Sequence, residues 1–170
     1  PKNDDYETLI DAVRGCREIM EDEGLEDMPL HVLGISSSAI PILVLLGADT
    51  FDSATYLQSA INGKYMTSLT DSISIDEARE NNFSECDCRV CSDEKLKNQM
   101  SGDAEYKKDI YGVIAIHNME VQKREIDLLK QKIREGEDSL KSHIEDTLGN
   151  KDDIKKFAYR AINASLEEYF

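Results

Sequence analysis

Three cysteines in a Cys-x-Cys-x2-Cys arrangement are the residues of this chain best suited to chemistry. Cys86, Cys88 and Cys91 fall within six residues, and His117 follows after a further 25. This spacing lets three thiolates reach one ion from a single loop, and a later imidazole can complete the tetrahedron. Only Cys16 is left over among the four cysteines. The pattern therefore predicts a bound metal, and thiolate-rich tetrahedral sites select zinc.

Four protein ligands predict a structural zinc rather than a catalytic one. A catalytic zinc keeps one position open for water, whereas Cys86, Cys88, Cys91 and His117 together fill all four positions. The alternative is three ordinary buried cysteines and an unrelated histidine, and the clustering of three of the four cysteines argues against it. The metal is expected to clamp the irregular segment 53–91 to the helix that contains the histidine.

The beginning of the chain predicts two strands that alternate with two helices. Apolar side chains at helical spacing predict a helix over residues 6–23, and a continuous apolar run predicts a strand over 29–35 that is buried on both faces. A second helix is expected over 38–46, capped by one of the serines at 36–38, and a second strand over 48–51. The order α-β-α-β is typical of a parallel, right-handed crossover unit.

Asp52 is the second candidate for chemistry, because it stands where the second predicted strand ends. In parallel units, functional groups gather at the carboxyl ends of the strands. A single aspartate in this place is also typical of a helix cap or a turn, and spacing alone favours that simpler role.

Three other residues could take part in chemistry but are expected to be structural. Cys16 lies on the apolar stripe of the first helix, and His31 lies within the first strand, so both are expected to pack in the core. His143 lies on a polar helix and is expected to face solvent.

The middle of the chain carries weaker signals. The dipeptide Asn62-Gly63 predicts a turn, in a small hairpin that continues through Tyr65. Short helices are expected over residues 74–80 and within 93–108.

One long helix is expected to run through His117 to about Gly136. Its predicted buried stripe consists of Met119, Ile126, Leu129 and Ile133. The tail over 138–170 predicts one or two further helices, which separate near Gly149.

Composition limits the function classes that are open to the chain. Its 170 residues suffice for one domain with a core, and its formal net charge of −15 argues against a general phosphate-binding surface. No apolar run is long enough to span a membrane, and the first residues do not form a signal peptide, so a cytoplasmic protein with reduced thiols is expected. Because the sequence begins with Pro1 rather than methionine, a fragment of a longer protein is expected.

Four segments, in this order, resemble the C-terminal part of the tRNA-guanine transglycosylase family. They are Leu33-Gly34-Ile35, residues 46–53 with their Phe51-Asp52-Ser53 sequence, the cysteine triplet, and His117-Asn118-Met119. The resemblance covers about residues 1–137, and the wording around Asp52 is more similar to the archaeal, archaeosine branch than to the bacterial, queuosine branch.

The resemblance implies an α/β fold, the C-terminal portion of a (β/α)8 TIM barrel with an inserted zinc-binding subdomain and a helical C-terminal tail. Residues 1–52 are then the last βα units of the barrel, and 53–117 are the zinc-binding insertion. Residues 118–137 are the closing helix, and 138–170 are the tail.

The resemblance also implies an activity, the exchange of guanine for a 7-deazaguanine base in tRNA. Asp52 is the implied nucleophile, which forms a covalent bond to the ribose before the new base displaces it. Leu33 and Gly34 match the segment that packs on one side of the bound base. Zinc is the implied structural cofactor, and a homo- or heterodimer is implied because the zinc subdomain of the family lies near a dimer interface.

Two alternatives stay open on the sequence. The family's second active-site acid and most of its barrel lie upstream of the residues present, so the chain alone is not expected to complete an active site. The basic residues that follow the nucleophile in bacterial members are absent here, and Lys64 is the only basic residue within 57–64. A related enzyme that inserts deazaguanine bases into DNA, or a non-catalytic, zinc-stabilised partner subunit of a transglycosylase, would also fit.

Overall fold

The computed structural model describes residues 3–83, 86–102, 106–151 and 154–167. Two compact units are present, one formed by Pro1–Asp52 with Leu129–Phe170 and the other by Ser53–Leu128. The chain is mostly helical with short strands, which confirms the predicted α/β class at that level. The described residues form two two-stranded sheets, so the barrel stays a prediction from the resemblance.

The elements follow one another in a simple order along the chain. The first half contains α1 (Asn3–Asp22), β1 (His31–Val32), a 3-10 turn (Ser37–Ala39), α2 (Ile40–Leu45), β2 (Thr50–Phe51), α3 (Thr55–Ile61), β3 (Lys64–Met66) and β4 (Ser72–Ser74). The second half contains α4 (Ile75–Glu80), α5 (Glu94–Met100), α6 (Lys107–Glu135), α7 (Glu137–Leu148) and α8 (Lys155–Glu167).

The first unit is built around a parallel pair of strands, as the α-β-α-β pattern predicts. β1 pairs with β2 in the register His31 to Thr50 and Val32 to Phe51. Helices α1, α2, α7 and α8 supply its apolar interior, which includes Ile10, Leu43, Ile144, Leu148 and Phe157. The burial of these side chains is the main favourable term for this unit.

Arg17 ties together the amino-terminal ends of the two parallel strands. Its guanidinium donates to the Gly47 carbonyl and to Asp49 Oδ2, the latter at 2.6 Å. The same carboxylate oxygen accepts from the backbone N–H of Leu30 at 2.8 Å. One planar, multiply donating side chain thus connects the residues just before β1 and just before β2.

The second unit combines a small hairpin, the three short helices α3, α4 and α5, and the first part of α6. β3 pairs with β4 in an antiparallel register, Tyr65 opposite Ile73. The buried residues that they share with the neighbouring helices and loops are Ala60, Tyr65, Ala78, Phe83, Val90, Cys91, Met100, Val113, Ile114 and Ala115. This cluster surrounds the segment that carries the three clustered cysteines.

The first strand is shorter and more exposed than the apolar run predicts. β1 has two residues, His31 is exposed, and 70% of Leu33 is exposed to solvent. His31 Nδ1 lies 2.7 Å from the Thr50 hydroxyl instead of packing in a core. The prediction of a strand buried on both faces was wrong, because the face of the sheet that carries His31 and Thr50 is exposed.

Cys16 is also exposed, which corrects its predicted place in the core. Burial along α1 is strong at Ile10 and Val13 and then fades, and 65% of Ile19 is exposed. The apolar stripe of the sequence therefore extends beyond the part of the helix that other described elements cover.

The hairpin is present, and Asn62-Gly63 forms a turn as predicted, but that turn leads into the hairpin and is not the one that closes it. Asn62 and Gly63 end α3, a helix that the sequence pattern missed, whereas the chain reverses between Thr67 and Asp71. Ser68 Oγ accepts from the backbone N–H groups of Thr70 and Asp71, so a serine hydroxyl stabilises this turn. The hairpin prediction placed the turn at the stronger dipeptide signal and overlooked the serine.

The expected serine cap of α2 is absent. Ala39 is the N-cap residue and makes no side-chain hydrogen bond, because a 3-10 turn leads directly into the helix. Other helices follow the sequence more closely: Ser74 caps α4, α5 lies within 93–108, and α7 and α8 separate after Gly149.

The predicted buried stripe of α6 is partly wrong. Leu129 is buried, but Met119 and Ile133 are 42% and 49% exposed. In the second unit the buried face consists of Ile114, His117, Asn118 and Val121, a helical i, i+3, i+4, i+7 set with polar residues at its centre. A search for apolar periodicity skips such a face because two of its members are polar.

Across the described ranges, no helix is both long enough and apolar enough to cross a membrane.

Candidate metal centre

The four predicted ligands converge at one point in the second unit. The ligand atoms of Cys86, Cys88, Cys91 and His117 all lie within 4.8 Å of one another. His117 Nδ1 is 3.7 Å, 3.4 Å and 3.5 Å from the three sulfur atoms in chain order. The cluster could therefore hold a metal ion.

The distances are compatible with tetrahedral zinc. Tetrahedral zinc bonds to sulfur at about 2.3 Å and to imidazole nitrogen at about 2.0 Å, which places nitrogen and sulfur about 3.5 Å apart. The three nitrogen–sulfur distances, from 3.4 to 3.7 Å, bracket that separation. A set of three thiols and one imidazole also binds zinc in preference to harder cations.

The cysteine segment is shaped by its own backbone. Ser92 N–H donates to the Cys88 carbonyl at 2.9 Å, and the Ser92 hydroxyl donates to the Asp87 carbonyl at 3.0 Å. Asp93 then caps α5 by accepting from the backbone N–H of Lys95 and of Leu96. The turn and the cap together stabilise the cysteine segment in a conformation that places the three sulfurs on one side of it.

His117 is fully buried on α6 and is held by a backbone carbonyl on its far side. Its Nε2 lies 2.9 Å from the Met66 carbonyl oxygen of β3. A carbonyl can only accept, so Nε2 carries the proton and the Nδ1 lone pair faces the sulfurs. Such a partner fixes the tautomer and the ring orientation of a metal-binding histidine.

The four candidate ligands are electrostatically coupled to one another. Hydrogen bonds with Cys88 and Cys91 lower the pKa of Cys86, whereas hydrogen bonds with Cys86 and Cys88, together with burial, raise the pKa of Cys91. Burial opposes a charge on His117, but hydrogen bonds with Cys86 and Cys88 outweigh it and raise its pKa to about 9. A divalent cation would take the place of these shared protons and favour ionisation of all three thiols.

Asn118, the next residue on α6, connects the helix to the backbone around the hairpin. It is fully buried; its Nδ2 donates to the carbonyls of Tyr56 and Lys64 at 3.0 Å and 3.1 Å. Its Oδ1 accepts from the Met66 N–H at 2.9 Å. Since Met66 also accepts from His117, two consecutive helical residues hold one strand residue through both of its backbone groups.

A cavity of about 130 Å³ lies beside the cluster. Cys86, His117 and Phe83 line it, and Arg124 contributes a charged group. Cys86 itself is only partly buried. The cavity thus borders the cluster on the side of Cys86 and His117.

The first unit brings the other predicted site residues together. Asp52 follows β2, and its Oδ1 accepts from the Gly34 N–H at 2.6 Å, just after β1. Leu33 precedes this glycine and is largely exposed. The structure thus groups Leu33, Gly34 and Asp52 at the carboxyl ends of two parallel strands, which is the place predicted for Asp52.

The profile of the family described as queuine tRNA-ribosyltransferase matches residues 2–150 of this chain. The chain belongs to this family. The family resemblance read from the motifs is therefore confirmed.

Named relatives in this family are tRNA-guanine(15) transglycosylases. The chain is 32% identical over 133 residues to that of Sulfolobus acidocaldarius, which covers 78% of this chain and 24% of the relative. It is 35% identical over 109 residues to that of Methanococcus vannielii, covering 64% of this chain and 16% of the relative. It is 34% identical over 115 residues to that of Pyrococcus abyssi, which covers 65% of this chain and 18% of the relative. The chain thus spans about a quarter or less of the length of these relatives.

Two features of this family member were missed by reasoning on the sequence. Tyr65 stacks on the His117 ring, and its hydroxyl lies 3.1 Å from Cys91 Sγ. The hydrogen bonds of Asn118 were also not foreseen, although the residue stands directly after the predicted ligand. A polar residue beside a ligand on the same helix face is the signal that could have revealed it.

Proposed function

We propose that the chain is the C-terminal part of an enzyme that exchanges guanine for a 7-deazaguanine base in tRNA. The observation that carries this proposal is the 2.6 Å hydrogen bond from the Gly34 N–H to Asp52 Oδ1 at the carboxyl ends of β1 and β2. It supports a carboxylate held in a defined orientation at the end of the strands where parallel α/β folds carry out catalysis. The names of the relatives support the reaction class.

Asp52 is the proposed nucleophile, and its two oxygens take different roles. Oδ1 is held by Gly34, and Oδ2 attacks C1′ of the ribose. The C1′–N9 bond breaks, its electron pair passes to guanine N9, and the departing base takes up a proton. The incoming base then uses its own nitrogen to attack C1′, releases the carboxylate and loses its proton. Two displacements of this kind divide one difficult substitution into two easier ones.

Leu33 and Gly34 are the proposed surface for the base. Gly34 has a φ of +67°, in the left-handed region that side chains other than glycine rarely adopt. Its conformation aims the backbone N–H at Asp52, and the exposed Leu33 side chain offers a flat base an apolar surface. Base binding and nucleophile orientation would thus depend on the same two residues.

We propose a structural zinc ion on Cys86, Cys88, Cys91 and His117. When bound, the ion supplies charge and coordination bonds that ionise the thiols and tie the cysteine segment to α6. The Met66 carbonyl orients the imidazole and keeps the proton on His117 Nε2, so that Nδ1 is free to bind the ion. A cytoplasmic location and a homo- or heterodimer stay predictions from the sequence.

A trapped covalent adduct tests the nucleophile. The native enzyme that contains this chain is incubated with end-labelled tRNA, denatured and run on a gel, where a retarded labelled band marks the protein–RNA bond. Asp52→Asn should remove both the band and base exchange, because an amide is a poor nucleophile. The fold should persist, since the new side chain keeps an oxygen that can accept from Gly34.

Asp127→Asn, an equivalent change on the exposed face of α6, is the matched control and should keep the band. A full-strength band with Asp52→Asn would remove Asp52 from the nucleophile role. Absence of base exchange by the unmodified native enzyme would refute the proposed function itself.

A further inference from the structure

Tyr65 contacts two of the four candidate ligands at once. Its ring stacks on the His117 imidazole with 3.7 Å between centroids and 11° between planes. Its hydroxyl oxygen lies 3.1 Å from Cys91 Sγ. Only 5% of the residue is exposed, so these contacts are made away from water.

We propose that Tyr65 is a positioning residue of the metal centre, which orients His117 by stacking and stabilises the Cys91 thiolate by donating a hydrogen bond. The inference rests on the proposed zinc site. Met66, the next residue of β3, also orients His117, because its carbonyl accepts a hydrogen bond from His117 Nε2. Two consecutive residues of β3 therefore fix the plane of the imidazole and its rotation within that plane.

Charge explains why a hydroxyl is useful at this position. One Zn²⁺ ion with three thiolates and a neutral imidazole carries a net charge of −1, and Cys91 and His117, the two ligands that Tyr65 contacts, are buried. A donor aimed at one sulfur delocalises that charge in a place where water contributes little. If Tyr65 served packing alone, phenylalanine would fill the same space without burying a polar oxygen.

Cobalt substitution tests the proposal without any assay of activity. The whole chain is loaded with Co²⁺, whose thiolate charge-transfer and ligand-field absorption report tetrahedral sulfur coordination, and zinc affinity is measured by competition with a chelator. Tyr65→Phe keeps the ring and the stack but removes the donor. We expect zinc affinity to fall by about tenfold, the lower end of the range for lost outer partners of a metal ligand. The charge-transfer band should move to lower energy, because the thiolate electrons are less stabilised.

Tyr56→Phe is the matched control, since it removes a phenol oxygen from a partly buried ring of the same core. It should leave zinc affinity and the cobalt spectrum unchanged. Equal losses in the two variants, or wild-type affinity and spectrum in Tyr65→Phe, would overturn the role of Tyr65. Failure of the unmodified chain to bind Co²⁺ or Zn²⁺ would overturn the zinc site itself, so the two failures are distinguishable.

A second measurement needs no variant. In the zinc-loaded wild-type chain, the Tyr65 hydroxyl proton should exchange slowly with water and show a nuclear Overhauser contact to the Cys91 Hβ protons. A Tyr65 hydroxyl proton in fast exchange would contradict the hydrogen bond even if Tyr65→Phe does not fold.

Discussion

Asn118 offers the sharpest test of how α6 is joined to the hairpin. The side chain makes three hydrogen bonds to backbone groups of Tyr56, Lys64 and Met66. Asn118 itself is fully buried. Each such bond is worth about 1 kcal/mol net, and a buried partner that is left unsatisfied costs about 1–3 kcal/mol. Asn118→Ala should therefore lower the free energy of unfolding of the zinc-loaded chain by about 3 kcal/mol.

The substitution Asn118→Asp separates hydrogen bonding from packing, because it changes one atom and almost no volume. The oxygen that accepts from Met66 is kept, but the donor becomes an oxygen that faces the carbonyls of Tyr56 and Lys64 at about 3 Å. The introduced carboxyl is therefore more easily protonated in the folded chain than in the unfolded chain. The penalty should be small near pH 4 and grow by about 1.4 kcal/mol per pH unit as pH rises, until the folded carboxyl ionises.

Two measurements on the zinc-loaded chain test the two variants. Urea unfolding gives the loss of stability, and hydrogen exchange of the Met66 amide reports whether its hydrogen bond to residue 118 persists. Lys123→Ala, on the exposed face of the same helix, is the control and should change the stability by no more than about 0.5 kcal/mol. If Asn118→Ala matches that control, or if Asn118→Asp is as stable as wild type at pH 8, the three hydrogen bonds do not hold the hairpin.

Three further predictions concern other parts of the chain. Removal of zinc by a chelator should lower the melting temperature and free the cysteine segment 86–91 from α6; unchanged melting would refute a structural metal. Arg17→Lys should destabilise the chain by about 1–2 kcal/mol in urea, because lysine can keep the Asp49 ion pair but not the hydrogen bond to the Gly47 carbonyl as well. Wild-type stability of the variant would show that the second hydrogen bond of the guanidinium is dispensable. Glu135 has its pKa lowered to about 2 by hydrogen bonds from Lys132 and from two neighbouring side chains. Because its folded pKa is depressed, its stabilising effect should be complete above about pH 4.5 and lost as pH falls toward 2, and Glu135→Gln should abolish that dependence in acid titrations.

The sequence predicts the three candidate cysteine ligands because their spacing is local. Three sulfurs within six residues must lie close together in any fold, so their spacing alone predicts a shared ion. The place of Asp52 could be predicted for a similar reason, since a parallel crossover puts the residue after the second strand beside the residue after the first. In both cases a few short-range rules determine which side chains meet.

The other contacts depend on partners that are distant in the chain. His117 and Asn118 lie 51 and 52 residues from Met66, and no periodic pattern links them to β3. Both residues are polar, so a search for apolar faces placed the buried stripe of α6 on Met119 and Ile133 instead. Short strands such as β3 and β4 are likewise specified mainly by what they pack against, which is the context that a single sequence lacks.

The cysteine segment and the hairpin are connected to α6 in different ways, so the two connections can be tested separately. The cysteine segment 86–91 reaches the helix through the proposed metal, whereas the hairpin reaches it through Asn118, which needs no ion. Loss of zinc should therefore raise hydrogen exchange first and most in the cysteine segment, with a smaller rise at the Met66 amide. Asn118→Ala should produce the opposite order in the zinc-loaded chain. If both perturbations give the same exchange pattern, the second unit unfolds as a single cooperative body, and the metal and the asparagine stabilise the same state rather than two separable connections.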